Sequence, residues 1–130
     1  MYLLDMNICI ELLAGNSRVI GRLDGLGPVR VYSSSITLGE LAYGAARSSF
    51  PTKELVRVKQ FVRHVSVLPV DMGAAYQYGI LKSQLAAQGL LLEDNDLFIA
   101  SIALTRRLTL VTHDYAFRRV AGLVLEDWLG

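Results

Sequence analysis

The sequence predicts an α/β domain built on a mainly parallel five-stranded sheet with helices on both faces. Two observations carry this expectation. Short apolar runs of strand length alternate along the chain with stretches whose apolar residues keep helical spacing, and that alternation builds parallel sheets covered on both sides. The second observation is the stretch from Gly89 to Leu104, where Leu97, Phe98, Ile99, Ala100, Ile102, Ala103 and Leu104 cover nearly every direction around a helix axis. A helix with so little polar surface belongs in the middle of a domain.

The elements follow in order. Tyr2-Leu3-Leu4 reads as a buried strand ending at Asp5, and Asn7 can cap a short helix from Ile8 to about Leu13, stopped by Gly15. Ser17 opens a second helical piece with Val19, Ile20 and Leu23 on one face, ended by Gly25, Gly27 and Pro28. Val29 to Tyr32 is the second strand, and any of Ser33, Ser34 and Ser35 can cap the helix carrying Leu38, Leu41, Ala42 and Ala45. Pro51 suits the start of a further helix. Its apolar stripe is Leu55, Val58, Val62 and Val65, with Lys53, Arg57, Lys59 and Arg63 on the opposite side. Val67 to Val70 is a third strand. Asp71 caps a helix with Ala75, Tyr78, Leu81 and Leu85, which Gly89 ends. The apolar helix comes next, capped by Asp94 or Asn95, with Arg106 and Arg107 at the end where the dipole favours cations. Leu108 to Val111 is the fourth strand, stopped by Thr112-His113-Asp114, and Leu123 to Leu125 is the fifth.

The whole chain, residues 1–130, is read as one domain, long enough to bury roughly two thirds of its unfolded surface. Its 52% hydrophobic and 19% charged content excludes a disordered chain. No apolar run approaches the roughly eighteen residues that span a bilayer. No basic region precedes the first apolar residues, as a secretory signal requires. Cys9 is alone, so no internal disulfide can form, which fits a reducing cytoplasm. A net charge of +1 gives no strong overall steering toward nucleic acid, and such binding would rest on local patches.

Four acids occupy comparable places. Asp5 ends strand one, Glu40 lies in the first turns after strand two, Asp96 opens the apolar helix, and Asp114 follows strand four. In a doubly wound sheet all four can meet above the carboxyl edge, where ligands bind. Gathered carboxylates repel, so the group must take up protons or a cation. An oxygen-only donor set favours Mg²⁺, or Mn²⁺ in its place, over zinc. Such a site can bind phosphate oxygens and activate a water, which is the equipment of a phosphodiesterase.

At these residues the chain resembles a known family. Leu3-Leu4-Asp5-Met6-Asn7-Ile8, Ser35-Ile36-Thr37-Leu38-Gly39-Glu40-Leu41, Asn95-Asp96-Leu97-Phe98-Ile99-Ala100 and the run from Val111 to Leu123 are similar to four successive motifs of the PIN-domain nucleases. The resemblance spans essentially the whole chain and is closest to the VapC ribonuclease toxins of bacterial toxin–antitoxin pairs. It implies a PIN-like three-layer fold and a magnesium-dependent endoribonuclease, inhibited by a VapB-like antitoxin and often a homodimer. By motif position it assigns Asp5, Glu40, Asp96 and Asp114 to the acidic site, with Asn7 and Thr112 beside it. The closing Glu126-Asp127-Trp128 is similar to members that cut initiator tRNA. The chain departs from the pattern twice. Met6 stands where the family usually has Thr or Ser, and Glu93 and Asp94 add acids beside Asp96.

Simpler readings stand beside these. Asp94 reads as a helix cap before it reads as a ligand, and His113 as a turn residue near the site. Cys9 reads as a small buried apolar group. The charges from Lys53 to Arg63 read as a solvated face. Arg118 and Arg119 are open to phosphate contact or to a salt bridge near Asp114, and Tyr43 and Tyr76 to an interface or to the core. A haloacid-dehalogenase-type phosphatase would need a second Asp at the position of Asn7, so that reading fails. A non-catalytic PIN-fold binding module would be expected to have lost a carboxylate, and none is lost. A housekeeping PIN nuclease working without an antitoxin remains the competing function.

Overall fold

The computed structural model describes residues 1–28 and 30–130. Five parallel strands form one sheet in the order β3-β2-β1-β4-β5. They are β1 (Tyr2–Leu4), β2 (Val31–Ser34), β3 (Ser66–Leu68), β4 (Thr109–Val111) and β5 (Leu125–Glu126). The helices are α1 (Met6–Leu13), α2 (Ser17–Gly25), α3 (Ser35–Ala46), α4 (Pro51–His64), α5 (Met72–Ala87) and α6 (Asp94–Arg106), followed by a short 3₁₀ turn over Tyr115–Arg119.

Because successive side chains of a strand point to opposite faces, the central strands feed two cores. Leu3 and Leu110 enter an apolar layer with Leu81, Leu85, Leu97, Ile99, Ile102 and Phe117. Leu4 and Val111 enter the other, with Ile8, Val19, Leu41, Val58, Phe61 and Trp128. The sheet is thus the middle of three layers, with α5 and α6 on one side and α1 to α4 contributing to the other. Helix α6 buries Leu97, Ile99, Ala100, Ile102 and Ala103, as its all-round apolar sequence requires. Its one polar residue in that region, Ser101, is satisfied by donating to the Leu97 carbonyl at 2.6 Å. Tyr78 of α5 stacks on Phe98 of α6, with ring centres 4.1 Å apart.

The expected elements are all present, with shifted edges. β2 covers Val31–Ser34 rather than Val29 to Tyr32, because Ser33 and Ser34 carry the pairing to Val67 and Leu68; Val29 itself lies outside the described residues. β3 ends at Leu68, before Pro69, which has no amide to continue a ladder. β4 starts after Leu108, whose amide turns back to the Ala103 carbonyl to close α6, with Arg107 left-handed at φ 55°. β5 begins at Leu125 rather than Leu123, because the Leu123 amide points back toward Val120 across a turn in which Gly122 holds φ 80°.

Several caps and faces also differ from expectation. Asp5, not Asn7, stands at the start of α1, so that helix opens at Met6. Neither Asp94 nor Asn95 caps α6; Glu93 holds that position without a side-chain hydrogen bond, and its two neighbours are drawn to other helices. Ala74 rather than Ala75 faces the core from α5, and Phe61 takes the place expected for the exposed Leu55 in α4. Tyr43 and Tyr76 are 65% and 70% exposed, which excludes the core reading for both.

Candidate active site

The order β3-β2-β1-β4-β5 reverses direction between β1 and β4, and the crevice beyond the carboxyl ends of those strands is where such sheets bind ligands. Asp5 follows β1 directly. Its amide continues the ladder to the Val111 carbonyl at 2.9 Å, so the side chain is fixed relative to β4. The carboxylate is 5% exposed and held from both sides. Oδ1 accepts the Met6 amide at 2.8 Å and Oδ2 accepts the Thr112 hydroxyl at 2.7 Å. Burial pushes its pKa above the ordinary value; the Thr112 and Met6 hydrogen bonds oppose this, and the Asp114 charge adds to it. Met6, the departure noted in the first motif, contributes its amide to Asp5 and lays its side chain against the apolar layer.

Thr112 is itself buried, and its hydroxyl works twice. It donates to Asp5 and accepts the Asp114 amide at 3.0 Å. Asp114 then caps the 3₁₀ turn, its Oδ1 accepting the Ala116 amide at 2.9 Å. Asn7, in the first turn of α1, accepts the His113 amide at 3.4 Å through Oδ1 and so ties the same loop to α1. Both residues expected beside the acids are therefore supports of the loop that follows β4.

Asp96 sits in the first turn of α6, partly buried, with its pKa raised to about 6. Burial is the largest cause, followed by the charges of Asp5, Asp114, Glu93 and Glu40. One carboxyl thus registers all the other expected acids, and Glu93 as well. Asp94 belongs elsewhere: its Oδ1 accepts Lys82 Nζ at 2.9 Å and the Tyr78 hydroxyl at 2.7 Å, and these contacts lower its pKa. Glu40, reaching from α3, accepts the Asn95 side-chain amide at 3.0 Å.

The acids lie within electrostatic reach of one another without closing a cage. Among the described residues, no three His, Cys, Asp or Glu side chains converge tightly enough to hold a metal ion as they stand. An open, oxygen-only donor set still fits magnesium, which keeps several of its waters and binds through one or two carboxylates.

The remaining candidates are placed as follows. His113 turns its ring to Asp127, Nδ1 lying 2.9 Å from Oδ2. Arg119 donates to the Leu91 carbonyl and Arg118 lies over the Tyr115 ring at 4.5 Å, so neither forms a salt bridge with Asp114. Cys9 is buried 3.7 Å from the Ser33 hydroxyl, with its thiol pushed up to about 12 by burial, and is inert at neutral pH.

Sequence reasoning missed the contact of Asn95 and those at the end of the chain. Asn95, like Asp94 a capping residue by type, gives its side-chain amide to Glu40 instead, and a carboxamide flanked by acids is suited to face a carboxylate. The end of the chain is fastened down: Trp128 is buried, donates its indole N–H to Glu126 at 2.9 Å and meets Tyr2 edge-on at 5.6 Å. Arg22 of α2 pairs with the same Glu126, and Arg18 donates to the Leu129 carbonyl at 2.7 Å. A lone Trp among acids was the available signal. A cavity of about 880 Å³ shares no residue with the acids. It lies between α1, α2 and α4 near the start of β2 and β3, lined by Leu13, Leu23, Arg57, Phe61 and His64 among others.

The PIN domain family pattern matches residues 2–123. The chain is 37% identical over 128 residues to a tRNA(fMet)-specific endonuclease VapC of Shigella flexneri, covering 98% of this chain and 97% of that protein. Among solved structures, DNA-bound VapBC from Salmonella typhimurium superposes with a TM-score of 0.92 at 36% identity, over 98% of this chain and 97% of that one. VapBC2 of Rickettsia felis, bound to a DNA fragment from its promoter, also gives 0.92, at 31% identity and 98% of each chain. Fold, motif order and these matches agree, and the chain belongs to the PIN domain family and, within it, to the VapC ribonucleases.

Proposed function

We propose that this chain is a metal-dependent endoribonuclease, the toxin of a VapBC-type pair, in which Asp5, Glu40, Asp96 and Asp114 hold the cation. The observation that carries the reading is Asp96, whose pKa stands near 6 through burial and the surrounding acids. That is the electrostatic mark of a site lacking a countercharge. Magnesium, with manganese as a substitute, would supply a bound water of lowered pKa and positive charge facing the phosphate. The chain's own residues do the rest. Thr112 and the Met6 amide keep Asp5 in one orientation, Asn7 and Thr112 fix the loop bearing Asp114, and the first turn of α6 holds Asp96 within reach of the other acids.

RNA is the substrate, and initiator tRNA is the first to test, since the relative from Shigella flexneri bears that specificity in its name. Arg118, exposed above Tyr115, is a candidate phosphate contact; Arg119 has one N–H already given to Leu91. A VapB-like antitoxin is the partner, as in the VapBC assemblies to which the chain is similar, and a cationic side chain from it would suit the acidic cleft. A second copy of the chain would cover the exposed stripe of Met72, Tyr76 and Ile80, four residues apart on α5. No helix among the described residues is long and apolar enough to cross a membrane, and a cytoplasmic setting suits the lone thiol and the RNA substrate.

The test is cleavage of purified initiator and elongator tRNAs by the isolated chain, with magnesium and with EDTA. Magnesium-dependent cutting of initiator tRNA that Asp96→Asn abolishes is the expected result. Equal cutting in EDTA would overturn the metal reading, and equal cutting of every tRNA would overturn the specificity.

A further inference from the structure

The hydrogen bond between Asn95 and Glu40 crosses from α6 to α3 and joins residues far apart in the chain. A carboxylate only accepts, so the donor is the Asn95 amide nitrogen and the orientation of that side chain is fixed by chemistry. Asn95 and Asp96 are consecutive in the first turn of α6, and one full turn separates residues only every 3.6 positions. They therefore point in different directions: Asn95 meets Glu40 on the neighbouring helix, while Asp96 feels the charges of Asp5 and Asp114 most and that of Glu40 least. The Glu40 charge reaches Asp96 nonetheless. Glu40 is partly exposed and forms no salt bridge among the described residues, so its orientation rests on this one contact.

The kind of donor matters. A Lys or Arg at this place would hold Glu40 equally well but would cancel its charge and stand in for the cation. A carboxamide occupies one oxygen, leaves the negative charge intact, and leaves Oε2 free. The chain shows both solutions close together, because Asp94, immediately before Asn95, is paired with Lys82 and is withdrawn from the acidic group. From this geometry we infer that Asn95 is the positioning residue of Glu40, a neutral donor that holds its carboxylate in one orientation within reach of Asp96 without neutralising it. The inference rests on the metal-site reading above and deepens it by one residue.

Binding of Mn²⁺ to the purified chain, followed by calorimetry or by its paramagnetic resonance signal, tests this without RNA. Groups that orient a ligand typically change metal affinity by about 10–100-fold when removed. Asn95→Ala is expected to weaken Mn²⁺ binding within that range. Asn95→Lys is expected to weaken it at least as much, although it preserves a link from α6 to Glu40; a purely structural tether would be indifferent to that exchange. Melting in EDTA confirms that both variants fold, and the exposed position of Asn95 favours this. Wild-type affinity in either variant overturns the inference while leaving the metal site standing. A wild type that binds no Mn²⁺ overturns the metal-site reading and this inference with it.

Discussion

Thr112 donates its hydroxyl to the buried carboxylate of Asp5 at 2.7 Å and accepts the Asp114 amide at 3.0 Å. One side chain thus fixes the acid after β1 and starts the turn that presents the acid after β4. Thr112→Val keeps the shape and removes both bonds. It leaves a buried carboxylate oxygen without its donor, which costs on the order of 1–3 kcal/mol. Chemical denaturation should show that loss, and Thr112→Ser, which restores the hydroxyl, should recover most of it.

The two neighbouring acids of α6 should behave oppositely. Asp94 is paired with Lys82 and Tyr78, whereas Asp96 feels Asp5, Asp114, Glu93 and Glu40. Asp94→Asn should therefore retain RNA cleavage and Asp96→Asn should lose it. Equal loss in both would show that the metal ligand has been misassigned between them.

Stability without metal should depend on pH with a definite sign. The Asp96 carboxyl moves from the ordinary 3.8 to about 6 on folding, so the folded state binds the proton more tightly. Its contribution is fully present below about pH 4 and is lost as pH rises through 6. Asp5, raised by burial, acts in the same direction. In EDTA the melting temperature of wild type should fall across this window relative to Asp96→Asn, which lacks the titrating group. Parallel curves for the two proteins would contradict the assignment.

Much of this was legible in the sequence because it depends on residue type and period. The all-round apolar face of α6, the glycines that end α5 and the first helix, and the order of the four acids are properties of that kind. What was not legible depends on which long-range partner wins. Asp94 and Asn95 are both good capping residues by type. Neither caps, because Lys82 with Tyr78 and Glu40 compete for them once α5, α3 and α6 are packed together. The ends of β2 and β5 differ for a related reason. Ser33 and Ser34 are capping residues by type, and Ser34 does cap α3, yet the ladder to β3 takes both in, and the turn at Gly122 delays the last strand.

The apolar helix supplies a control for stability unconnected with the chemistry. Ile102 is fully buried in α6, and Ile102→Ala should cost about 2–5 kcal/mol by lost burial and the cavity left behind. Urea unfolding measures it, and a loss below about 1 kcal/mol would mean that the layer between α6 and the sheet is looser than described.

The most direct test of the shared carboxylate site is a magnesium titration followed by thermal melting of wild type and Asp96→Asn. In EDTA the variant should melt higher, because one repelling charge is gone. Magnesium at a hundred times its dissociation constant should stabilise wild type by about 2.7 kcal/mol, since it binds the folded chain and not the unfolded one. The variant should respond much less, so the two curves converge or cross as magnesium rises. A variant that melts lower in EDTA yet gains as much from magnesium as wild type would contradict a cation site built on Asp96.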